Sequence, residues 1–96
     1  MEIRELVWDP INRVKLRRHG IEQWEVDSML VADDWVVTTD EEYPDQVRMI
    51  GPTTTRRMLT VALEPTNEPT VWRPVTGWEA DESEREYHWE ETQLSR

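Results

Sequence analysis

Ninety-six residues leave room for one domain, residues 1–96, and one modest core, because a chain of this size buries only about two-thirds of its unfolded surface on folding. There is no cysteine, which excludes a disulfide framework and a thiolate metal site, and no apolar run approaches the length of a membrane span. A formal charge of -10 argues against a general nucleic-acid binder, since counterion release needs Lys and Arg facing phosphates. Hydrophobic content is low at 36%, yet six tryptophans supply much apolar area per residue, so a folded domain is expected rather than disorder. The opening Met-Glu-Ile-Arg-Glu-Leu has no basic stretch leading into an apolar one, and the expected location is the cytoplasm. Charge is segregated: residues 32–46 hold six acids and no base, residues 74–96 hold seven acids against Arg85 and Arg96, and the other nine bases lie elsewhere. One basic face on an acidic body is compatible with that distribution.

Residues 3–8 alternate loosely enough for a first strand. Asp9-Pro10 then offers an N-cap with proline at the first helical position, and Gly20 a stop, which predicts a helix over residues 10–19 with bases in its last turns. A second helix is predicted over residues 22–31, with Val26, Met29 and Leu30 as its buried stripe. The β-branched run at residues 35–39 reads as a strand, followed by an acidic loop to Asp45. Two apolar runs within residues 47–63 flank Gly51-Pro52 and three threonines, the pattern of a hairpin with a long loop. A turn with two prolines leads to an extended segment over residues 70–76, where Pro74 requires an edge or a bulge. Asp81 and Glu84 form a capping pair for a last helix over residues 82–92. The expected fold is α+β: a largely antiparallel sheet of four to five strands, packed by two N-terminal helices and one C-terminal helix.

Several short motifs in this order resemble the BrnT-like toxins, small ribonucleases of the RelE superfamily found in bacterial toxin–antitoxin pairs. They are Leu6-Val7-Trp8-Asp9 with Asn12, Arg18-His19-Gly20-Ile21, Glu25-Val26, Arg48 with Gly51-Pro52-Thr53, Arg57-Met58-Leu59-Thr60-Val61, Pro74-Val75-Thr76 and Glu84-Arg85. The resemblance runs from Ile3 to about Glu90. It implies a RelE-like fold, a toxin that cuts RNA without a metal or other cofactor, and a cognate antitoxin of ribbon-helix-helix type that supplies any DNA contact, with no membrane partner. The chain departs from the family pattern in three ways. Thr76-Gly77-Trp78 stands where the family has an arginine, His88 stands at the place of a tyrosine, and the chain is more acidic.

Metal-free RNA cleavage needs a group to take the ribose 2′-hydroxyl proton, a group to protonate the leaving oxygen, and cations at the phosphorane. Histidine suits the first task. His19, with Lys15 one helical turn earlier, and Arg48 and Arg57 from the hairpin form the candidate catalytic set, while Arg18, Arg56 and Arg73 are candidate phosphate contacts. The bland alternatives are a histidine that meets the last carbonyls of its helix, a solvated basic helix face and solubilising loop arginines. His88 reads as a surface or half-buried side chain, and the tryptophans as core or interface anchors. With two distant histidines and no Ca²⁺-loop pattern, no metal site is expected. Three functional readings follow: a toxin-like ribonuclease, an acidic protein-binding module that kept the fold and lost the chemistry, and an acidic mimic of nucleic acid. The first two differ on whether Lys15, His19, Arg48 and Arg57 converge.

Overall fold

The computed structural model describes residues 1–94 and arranges them as β1 (Glu5–Leu6), α1 (Pro10–Arg18), α2 (Gln23–Ala32), β2 (Val36–Thr39), β3 (Val47–Pro52), β4 (Met58–Pro65), β5 (Val71–Glu79) and α3 (Glu82–Leu94). The strands form one sheet in the order β1-β5-β4-β3-β2, antiparallel except where β1 runs parallel to β5. This is the α+β order expected from the sequence.

The helix signals act as the chemistry requires. Asp9 Oδ1 accepts from the backbone N–H groups of Ile11 and Asn12, and Asn12 Oδ1 accepts in return from the Asp9 N–H at 2.9 Å. This reciprocal cap satisfies donors that the first turn leaves without helical partners. Asn12 Nδ2 also donates to the Val7 carbonyl, which turns the chain out of its strand early and shortens β1 to Glu5–Leu6 from the predicted 3–8. Asp81 and Glu84 make the same reciprocal cap at α3.

Gly51 and Pro52 lie inside β3 rather than in the predicted turn, with Pro52 paired to Met58. The Thr53 N–H donates across to the Arg57 carbonyl, so the position before it faces the β2 side. β2 makes its last pairing at Val36↔Ile50, and the missing donor of Pro52 therefore breaks no ladder bond. The turn itself occupies residues 53–57, where Thr53 Oγ1 accepts from the N–H groups of Thr55 and Arg57. Opposite Ala62 and Leu63 the register of β5 jumps from Thr76 to Pro74, the bulge that Pro74 called for.

Alternation divides the sheet into two faces. Val47, Met49, Leu59, Val61 and Leu63 point to the face covered by α1 and α2, where Leu16, Ile21, Val26 and Met29 complete the core. Gly77 makes room there, since a Cβ on it would stand 2.8 Å from Leu16 Cδ2. The other face carries Arg48, Ile50, Thr60, Ala62 and Trp78, and α3 packs across its β2–β3 side. Near that edge the chain entering β2 presses on β3: a Cβ on Gly51 would meet Trp35 Cα at 2.8 Å and the Asp34 carbonyl oxygen at 2.9 Å. Backbone cannot step aside as a side chain can, so Gly51→Ala is expected to lower unfolding free energy by about 1–3 kcal/mol. The urea midpoint measures this, and an unchanged midpoint would show that β2 is not held so close.

Candidate functional site

Arg57 leaves the hairpin turn on the helix-covered side and makes four contacts. Its Nη1 donates to both carboxylate oxygens of Glu25, at 3.1 and 3.0 Å, and to the Gly20 carbonyl at 2.9 Å, while Nε donates to Glu79 Oε1 at 3.1 Å. Its pKa is raised: the hydrogen bond to Glu25 is the largest cause, burial opposes it, and Glu79 adds to the rise. Glu25 lies on the apolar side of α2 and is nearly buried, so its charge depends on this arginine.

Arg48 points to the opposite face of the sheet. Nε donates to Asp40 at 3.1 Å, Nη1 lies 3.8 Å from Glu84, and the guanidinium carbon sits 5.2 Å from the ring centroid of Trp78. Trp78, standing where the resembled family has an arginine, also donates from Nε1 to Glu84. Burial alone would push the Asp40 carboxyl up, but the N–H groups of Tyr43 and Glu42 together with Arg48 outweigh it and hold it below the ordinary aspartate value. Arg73 pairs with Asp9 and lies 3.7 Å from Glu64. Arg48 and Arg73 on the strands and Arg57 in the turn thus all face carboxylates of their own chain.

The remaining candidates are on the surface. Lys15 and Arg18 line a shallow hollow of about 420 Å³ on α1, beside the exposed apolar side chains of Ile11 and Val14. His19 is the C-cap of α1, with its backbone N–H bonded to Leu16 and its ring exposed and without a partner among the described residues. Gly20 follows, and its carbonyl receives Arg57. Lys15 and Arg18 thus share one hollow on α1, Arg57 reaches the main chain just past the His19 cap, and Arg48 stands on the opposite face of the sheet.

Arg56 is beside Arg57 in the turn, held at φ 68°, a left-handed conformation that side chains with a Cβ adopt at a cost. It lines a hollow of about 550 Å³ with Pro52, Thr54, Met58, Asp34 and His88. His88 is mostly buried, and its Nε2 lies 2.6 Å from the Asp34 main-chain carbonyl oxygen and 3.8 Å from the Asp34 carboxylate. Sequence reasoning missed this grouping, and it missed Glu25, Asp40 and Glu84 as partners of the arginines. The Asp81–Glu84 spacing signalled a cap, but nothing in it signalled that Glu84 also reaches Trp78 and Arg48.

The fold is similar to that of the Brucella abortus ribonuclease toxin BrnT, with a TM-score of 0.61 and 16% sequence identity over 81% of this chain and 97% of that one. No protein-family model and no curated protein matches the sequence. What the two chains share at that identity is the fold, and it is the fold that the sequence motifs implied.

Arg56 has no side-chain partner among the described residues, and its left-handed backbone is held by its N–H, which donates to the Thr53 carbonyl at 3.0 Å. Arg56→Gly is expected to stabilise the protein by about 0.5–1 kcal/mol, the relief of the left-handed penalty less the entropy glycine adds to the unfolded chain. Thermal denaturation checks this, and a lower midpoint would show that the side chain supports the turn.

Proposed function

We propose that this chain acts on RNA as the toxin of a toxin–antitoxin pair, held in check by a basic antitoxin of ribbon-helix-helix type that covers its acidic surface. The observation that carries the reading is the fold shared with a ribonuclease toxin along nearly the whole of that toxin. The charge arrangement refines it. Lys15, Arg18 and Arg56 have no carboxylate partner among the described residues, whereas Arg48, Arg57 and Arg73 do. Of the cations without a carboxylate partner, this reading assigns these three to phosphates, and His19 adds a donor next to Arg18 in the chain. The Arg57–Gly20 contact joins the turn that carries Arg56 to the helix end that carries His19, so one strand of RNA can run along both. Cleavage on this reading moves protons through histidine, without a metal, and takes its cations from this rim.

A second reading, the acidic binding module, is favoured by one specific observation: Arg48 is engaged by Asp40, Glu84 and Trp78 on the face where the resembled toxins carry a further arginine. Induced expression in a bacterial host separates the two. The ribonuclease reading predicts growth arrest with fragmented cellular RNA, relieved when Lys15, Arg18 and Arg56 are all changed to alanine at equal soluble protein. Intact RNA and normal growth from the folded wild type would leave the binding module as the function.

A further inference from the structure

The hollow between the β3–β4 turn and α3 is lined by two side chains that each keep a group without a partner among the described residues. The first is the open nitrogen of His88. The Asp34 main-chain carbonyl, 2.6 Å from Nε2, can only accept, so Nε2 carries the hydrogen and the neutral ring has its lone pair on Nδ1. Thr60 Oγ1 is the one sealed side-chain polar atom without a partner among the described residues, so the partnerless Nδ1 is not closed off. The second group is the Arg56 guanidinium, presented by a strained residue in a turn that Thr53 makes rigid.

These two groups ask for complementary things from a ligand. A guanidinium without a carboxylate takes a phosphate, and a lone pair takes a hydroxyl or N–H. A ribonucleotide offers both on neighbouring atoms, with its 2′-hydroxyl beside its 3′-phosphate. Pro52 and Met58 add an apolar wall for the sugar, and a hollow of about 550 Å³ is of nucleotide size. The Asp34 carboxylate lies 3.8 Å from Nε2, on the side of the ring that its main-chain carbonyl already occupies.

We propose that this hollow is a ribonucleotide subsite, in which Arg56 binds the 3′-phosphate and His88 Nδ1 accepts a hydrogen bond from the ribose 2′-hydroxyl. The inference rests on the RNA reading above and names the part of RNA that is recognised, the sugar hydroxyl that distinguishes it from DNA.

The test is calorimetric titration with uridine 3′-monophosphate, 2′-deoxyuridine 3′-monophosphate and inorganic phosphate. The ribonucleotide is expected to bind about tenfold tighter than its deoxy counterpart, and both tighter than inorganic phosphate. His88→Gln, which keeps a donor for the Asp34 carbonyl, is expected to erase the preference for ribose. Arg56→Gly, expected to fold at least as stably as the wild type, loses about tenfold toward both nucleotides. Equal affinity for the two sugars, inorganic phosphate binding as well as either nucleotide, affinities unchanged by both variants, or no saturable binding by about 10 mM would overturn the subsite. Fragmented RNA in cells without ribose-selective binding would sink the subsite and leave the RNA reading standing. Ribose-selective binding without RNA cleavage would do the reverse.

Discussion

The contact on which the arrangement of this protein depends is the ion pair between Arg57 and Glu25. One guanidinium ties the hairpin turn to α2 through both oxygens of a nearly buried carboxylate, to the loop after α1 through the Gly20 carbonyl, and to the end of β5 through Glu79. Removing either partner strands a charge at a helix–sheet interface, which costs far more than losing an exposed pair. The same contact brings Arg56 within one residue of the sheet–helix junction and His19 within one residue of its other side. The geometry of the candidate RNA surface is therefore a consequence of a structural bond.

An acidic chain with few bases has to divide its cations between holding the fold and meeting a ligand. Here the division follows the sheet. Strand-borne arginines Arg48 and Arg73 and the turn's Arg57 meet carboxylates that the fold places close by, and among the described cations without such a partner Arg13, Lys15 and Arg18 stand on α1, Arg56 at the tip of the turn and Arg85 on α3, where it donates to the Ala80 carbonyl. Trp78 belongs to the same division: its ring faces Arg48 and its N–H meets Glu84, so Arg48 is engaged by side chains of this chain. A formal net charge of -10 then becomes compatible with RNA contact over a short local rim.

Much of the fold was legible because its signals are local. Asp9-Pro10, Gly20, the Asp81–Glu84 pair and the apolar stripe at Val26 and Met29 each act through bonds or contacts within a few residues, and each appears in the structure as read. The place of Gly51 and Pro52 was misread because turn residues and strand ends share a composition, and only the length of β2 decides between them. The site was less legible for a physical reason. Which face of the sheet Arg48 and Arg57 occupy depends on the register of β3 against β4, and their acidic partners come from α2, β5, α3 and the loop before β3. Grouping His88 with Arg56 depends on α3 crossing back over the start of β2, a contact between residues 54 positions apart in sequence.

The measurement that bears most directly on the central claim is a double-mutant cycle on Arg57 and Glu25, read by denaturant unfolding of the wild type, Arg57→Ala, Glu25→Ala and the double variant. If Arg57 is a structural partner of Glu25, each single change lowers stability by about 2–3 kcal/mol, and the double change falls short of the sum by about 1 kcal/mol or more. Additive losses, agreeing within about 0.5 kcal/mol, would contradict the account and return Arg57 to the set of cations available to a ligand.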